Sequence, residues 1–191
     1  MNISFRTFAV ALIGCSFAFA NADIAYNNFG TGDTFLSNAW SVNSSQGLCM
    51  PFTSATTGQV SSITVALFSN ANYTASLELM DNGNLPGTVL ESWTFAGTGS
   101  AQTLSGLGTS NLVAGTSYWL EIEPATPSDS GAWYENDQGA TGSFLFSNGG
   151  TWSPYNNTLS VFRVETNPVP EPMSMAVIGI GLAALKLRRR R

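Results

Sequence analysis

From Asp23 to Asn167 the apolar residues fall in short alternating runs, and no window sustains the three-to-four-residue spacing of an amphipathic helix. Val60–Phe68 places Ile63, Val65 and Leu67 on one face. Tyr73–Met80 sets Tyr73, Ala75, Leu77 and Leu79 against Thr74, Ser76 and Glu78, and Thr116–Glu123 sets Tyr118, Leu120 and Ile122 against Trp119, Glu121 and Glu123. Further strands are predicted at Phe35–Val42, Thr88–Phe95, Gly131–Glu135, Ser143–Ser147 and Thr158–Glu165. Turn signals separate them: Asp81-Asn82-Gly83-Asn84 followed by Pro86-Gly87, and Asn148-Gly149-Gly150 before Trp152. About eight strands at this spacing predict an all-β fold, an antiparallel sandwich of jelly-roll type.

Both ends break the alternation. Residues 1–22 carry Arg6, an apolar run from Phe8 to Phe19, and Ala20-Asn21-Ala22, small residues spaced for signal peptidase, which makes Asp23 the expected mature start. A second reading takes Leu12-Ile13-Gly14-Cys15 as a lipoprotein box with an acylated Cys15. Cutting there shortens the apolar core to Phe8–Gly14, so ordinary cleavage is favoured. At the other end come Val169-Pro170-Glu171-Pro172, an uncharged segment from Met173 to Leu185, then Lys186 and Arg188, Arg189, Arg190 and Arg191. As a helix this segment falls well short of the about 20 residues of a relaxed span, which suits a temporary membrane anchor with its basic cluster left in the cytoplasm.

Pro170-Glu171-Pro172, an apolar segment and a terminal arginine cluster resemble the PEP-CTERM sorting tail of exported bacterial proteins. The resemblance covers 169–191 and implies recognition by exosortase, a membrane-embedded cysteine transpeptidase, with processing at or beside the Pro-Glu-Pro. It further implies transient attachment to the inner membrane of a Gram-negative bacterium and delivery to the cell surface or extracellular matrix. The expected organisation is a signal peptide over 1–22, a β-sandwich over 23–167 and a sorting tail over 168–191.

Setting the ends aside changes the charge balance. The whole chain has a net charge of -5, yet every carboxylate except Glu171 lies between Asp23 and Asn167, where Arg163 is the sole base. Such a surface repels nucleic acid and anionic lipid. There is no histidine in the chain, and lysine occurs only at Lys186, which removes Ser-His-Asp, Cys-His, Ser-Lys and Schiff-base chemistry and every histidine metal site. Cys49 alone remains in the mature span, so no internal disulfide forms and packing must supply stability.

The middle of the chain is similar to the choice-of-anchor R domains, exported bacterial β-domains. The resemblance runs through Ser61–Leu67, Leu77–Pro86 with Gly87, Val89–Trp93 and Leu112–Leu120, and it spans about residues 35–165. It implies a fold and a surface location and no general activity.

Candidate chemistry is sparse. Asp81-Asn82-Gly83-Asn84 gathers oxygen donors but lacks the length of a calcium loop, so a turn is expected; Asp129, Glu135 and Asp137 form a looser acidic group that is a weak calcium candidate. No other cofactor is expected. Glu121 and Glu123 sit on one strand face about 6–7 Å apart, a spacing that permits glycosidase chemistry without specifying it, and no catalytic residue is assigned. Trp133, Trp152 and Tyr155 are the candidate rings for stacking on sugars. The expected function is a non-enzymatic matrix or adhesion component of the exopolysaccharide layer; the alternative is a carbohydrate-binding module for that polymer, with a glycan-active enzyme in third place.

Overall fold

A computed structural model describes residues 22–69, 71–81 and 84–168. The expected signal peptide with Ala20 and Cys15, the residues Asn82 and Gly83, and the tail with Val169 to Pro172, the expected hydrophobic helix and Arg188 to Arg191 lie outside the described residues; Ala22 lies just inside.

The described residues form strands and turns and no helix. In chain order the strands are β1 (Asp23–Asn27), β2 (Ala39–Val42), β3 (Leu48–Thr53), β4 (Gly58–Ala66), β5 (Asn72–Met80), β6 (Pro86–Ala96) and β7 (Ala101–Ser105). They continue as β8 (Asn111–Leu112), β9 (Ser117–Pro124), β10 (Gly131–Tyr134), β11 (Thr141–Asn148), β12 (Thr151–Thr158) and β13 (Phe162–Pro168). One sheet runs β1-β13-β4-β7, with β8 also on β4; the other runs β12-β11-β3-β9-β5-β6, and β10 pairs with β2 in a small third sheet. All pairings are antiparallel. The all-β sandwich is therefore as expected.

The two large sheets enclose one core, in which Leu48, Ile63, Val65, Tyr73, Leu77, Leu120, Ile122 and Phe162 are fully buried. The alternation of β4, β5 and β9 is legible in this core. Leu79 is the exception: it still pairs with Tyr118 of β9, but the β5–β6 register is irregular between Leu77 and Met80, and its side chain is 40% exposed.

Several strand predictions need correction. Phe35 precedes β2 and packs from a loop between the rings of Phe29 and Tyr134. The stretch from Thr158 splits between the end of β12 and the start of β13. β1, β3, β7, β8 and nearly all of β12 lie outside the predicted strands, and β3 and β12 each contain a proline. Pro51 is tolerated because the β11 ladder on that side stops at Cys49, and Pro154 because β12 is an edge strand. Pro86 and Gly87, expected in a turn, open β6.

The turn chemistry held where it was specific. Gly149 and Gly150, both at positive φ, join Asn148 to Thr151 in a two-residue hairpin. Asp81 closes its turn by accepting from the Leu85 N–H at 2.8 Å, with Asn84 in the left-handed region.

Glu91 on β6 is 3% exposed, and its carboxylate accepts from three backbone amides, those of Leu107, Thr109 and Ser110. It thereby fixes the loop that leads to β8. Glu91→Gln keeps one acceptor oxygen and strands at least one amide, so a loss of about 1–2 kcal/mol is expected in chemical denaturation.

The strand registers define two ends of the sandwich. Asp23 pairs with Thr166, Pro168 pairs with Gly58, and Gly58 also faces Leu112. The β3–β4 connection joins them, with Ala55 N–H donating to Ala25 and the Thr56 and Thr166 hydroxyls 2.8 Å apart. At the opposite end the Asn43–Gln46 turn and the β11–β12 hairpin are tied together through Ser147 and Gly149.

Candidate functional site

The three candidate stacking rings do not share a surface. Trp133 on β10 is fully buried, within 5.8 Å of the Phe162 ring, and its indole N–H donates to the Val161 carbonyl at 2.8 Å. It is a core residue, which removes it as a glycan contact. Trp152 and Tyr155 both lie on β12, but three residues apart along a strand they point to opposite faces. Trp152 packs half-buried over Cys49, Trp119 and Leu145 on the outer face of the six-stranded sheet.

Tyr155 is the ring the geometry retains. It is 44% exposed and stands opposite Phe144 across the β11–β12 ladder. Its ring meets Trp40, Phe144 and Phe146 edge-on at centroid distances of 5.6, 5.7 and 6.2 Å. These rings, with Gln46 and Leu48, line a cavity of about 200 Å³. Trp40 is held by donating its indole N–H to the Thr158 carbonyl at 2.9 Å. The signal for this group was present in the sequence as Phe144-x-Phe146 at alternating positions, followed across the Gly-Gly turn by Tyr155. Trp40 could not be added, because β2 reaches the site through tertiary packing alone.

Gln46 also borders a second, polar cavity of about 330 Å³ beside Glu123, Ser147 and the Gly149-Gly150 turn. The two cavities flank one turn at the end of the sandwich away from Asp23 and Pro168. An aromatic wall next to amide and hydroxyl groups offers apolar faces and hydrogen bonds together, the combination that a sugar ring requires.

The calcium candidates do not converge. Asp129 caps the loop after β9, accepting from the Asn72 backbone N–H at 3.0 Å and from the Thr126 hydroxyl at 2.7 Å; hydrogen bonds led by that of Thr126 hold its carboxyl below the usual range. Asp137 accepts from the Thr34 hydroxyl at 2.6 Å and from Gln138, which lowers it likewise. Glu135 sits in a β-bridge with Ser160 and is raised by burial. Among the described residues no three or more Asp, Glu, Cys or His side chains are placed so as to hold a metal ion.

A different carboxyl group does assemble. Glu121 and Glu123 on β9 lie on the outer face of the six-stranded sheet, where Glu78 of the neighbouring β5 joins them. Burial pushes Glu121 up to about 9, reinforced by its hydrogen bond to Glu78 and by the charge of Glu123. Cys49, opposite Glu121 on β3, is fully buried, and its thiol is raised well above its ordinary range by burial and by the same carboxylates. Glu121 is in hydrogen-bond contact with Glu78 and Glu123. A glycosidase pair instead stands about 5–10 Å apart with the sugar between.

Arg163, the sole base of the domain, is committed on the other sheet. Its guanidinium reaches Asp33 at 2.5 Å and Glu165 at 3.1 Å, and lies 5.9 Å from the Phe29 ring centroid.

Residues 168–191 match the PEP-CTERM protein-sorting motif. No curated protein matches the chain. The motif implies an exported protein sorted by exosortase to the cell envelope or surface, and it begins at Pro168, the last residue of β13.

Proposed function

We propose that the sandwich is a non-enzymatic structural or adhesion component of the exopolysaccharide layer of a Gram-negative bacterium, released there after signal peptidase and exosortase have acted on its two ends. Passing attachment to the inner membrane through Met173–Leu185 belongs to this reading, as does the likeness of the middle of the chain to choice-of-anchor R domains. The observation that carries it is the position of the sorting motif, which begins on the last residue of β13, the last of the described strands, and so takes the whole sandwich as cargo. The lack of histidine in the chain and of lysine before the tail supports a role without catalysis. The test is fractionation of cells producing the full chain. The domain is expected with the extracellular polymer, and a chain carrying P170A, E171A and P172A is expected with membranes. Equal distribution of the two would overturn the reading.

The aromatic cavity favours a second reading, a carbohydrate-binding module. A domain with this acidic balance is matched to a neutral polymer, since like charge repels an anionic one. Tyr155→Ala is expected to weaken retention on neutral polysaccharide in affinity gel electrophoresis by about tenfold, the loss of one aromatic contact of about 1–1.5 kcal/mol, with the melting temperature nearly unchanged. Unchanged retention in that variant, or no retention of the parent on any polymer, would count against it.

A further inference from the structure

The residues that precede the sorting motif are not a free linker. Glu165 and Thr166 of β13 are paired on both sides, with Ile24 and Asp23 of β1 and with Ser62 and Val60 of β4. Thr166 is fully buried, and its hydroxyl meets that of Thr56 at 2.8 Å. The β4 ladder then continues through Asn167 opposite Gln59 to Pro168 opposite Gly58. Gly58 lies so close to this strand that a methyl group added there would collide with the Asn167 carbonyl. The matched motif starts at Pro168 itself, so the folded sandwich and the sorting signal share a residue.

Reach makes this consequential. Only residues 169–172 separate the last ladder pair from the apolar segment that starts at Met173, and four fully extended residues span at most about 14 Å. With that segment in the membrane, a closed domain stands against the bilayer surface. An enzyme that recognises Pro170-Glu171-Pro172 then meets a folded body directly on the amino-terminal side of its motif.

We propose that closure of the end of β13 between β1 and β4 blocks access of exosortase to the motif, so that folding of the sandwich and processing of the tail compete for Thr166–Pro168. This rests on the sorting reading above. Strand ends open at low cost, so the block is partial and sets a rate. The two chain exits make the device coherent: β1 begins at the expected mature start, and its first residue is what holds Thr166 from outside.

The experiment is pulse-labelling of the full chain in a host that carries an exosortase, reading the conversion of long to short form. A six-residue Gly-Ser spacer inserted between Pro168 and Val169 leaves every ladder intact, and processing is expected to quicken on the order of tenfold, the cost of opening a strand end. Gly58→Ala, which pushes the strand end away without touching the motif, is expected to act in the same direction. Equal rates for the parent and the spacer chain would overturn the competition. A chain with E171A tests the underlying reading separately, because conversion of that chain at the parent's rate would show that the motif is not what is processed.

Discussion

Raising the pH from 5 to 8 is expected to destabilise the domain, and Glu121→Gln is expected to abolish most of that loss. Glu121 titrates near 4.5 when free and is pushed up to about 9 in the fold, with burial as the leading cause and Glu78 and Glu123 as the next. The sign follows from linkage. A carboxyl raised on folding carries its stabilising contribution in full below about 4.5 and loses it progressively toward about 9. The ceiling is about 1.4 kcal/mol per pH unit; with water still reaching a half-buried carboxyl, about 2 kcal/mol over the three units is expected. For a domain of this size that lowers the melting temperature by about 8 °C. Glutamine keeps the size of the neutral acid and can donate to both neighbouring carboxylates, so the variant should be the more stable protein at pH 8 and nearly flat across the window. Apart from Glu135, the other shifted groups do not mimic this. Asp129 and Asp137 are lowered, so their contributions vanish only in acid, and Tyr26 is raised to about 12, above the window. Glu135, raised by burial, acts in the same direction and sets the residual slope of the variant. Parallel melting profiles for parent and E121Q would remove the carboxyl group as the cause.

The carboxyl trio shows where sequence reasoning reached and where it stopped. That Glu78 shares a face with Thr74 and Ser76, and that Glu121 and Glu123 share theirs, follows from period-two alternation. That the two faces are one does not follow, because β5 and β9 are far apart in sequence and meet through long-range pairing. The same limit explains Trp119. Its predicted face is the outer one, and it lies there, yet it is 4% exposed because Cys49, Leu145, Met80 and Trp152 cover it. Alternation distinguishes two faces of a strand; it does not say which outer faces carry a second apolar layer. β3 and β12 each carry a proline, and its tolerance at Pro51 and Pro154 depends on where neighbouring ladders end. The edge position of β12 is also what leaves Tyr155 exposed, so the strand the sequence hid is the one that builds the aromatic cavity.

The export signals belong to a different kind of legibility. A sorting tail is read by charge, hydropathy and a tripeptide in linear order, and none of those depends on packing. The binding surface depends on packing throughout. Tyr155 was accessible to sequence reasoning because it is aromatic, whereas its partner Trp40 comes from a strand more than a hundred residues away.

Trp133→Ala should be the most damaging of the aromatic substitutions, costing about 3–5 kcal/mol, whereas Trp152→Ala and Tyr155→Ala should each cost less. Trp133 is the largest of the fully buried side chains. Its removal opens a cavity at the meeting of β10, β4 and β13, where its backbone bridges to Leu67 and its ring neighbours Phe162. The Val161 carbonyl simultaneously loses its indole donor. A single domain typically holds only about 5–15 kcal/mol in total, so the variant is expected to lose a large share of its stability. Trp133→Phe separates the two contributions: it keeps most of the volume and leaves only the carbonyl unpaired, for an expected cost of about 1–3 kcal/mol. Urea denaturation monitored by tryptophan fluorescence and by circular dichroism reads both. If W133A unfolded at the same denaturant concentration as the parent while losing retention on polysaccharide, Trp133 would be a surface ligand contact and its place in the core would be refuted. Loss of stability, with retention preserved in whatever fraction remains folded, is the outcome that its burial and its bond to Val161 require.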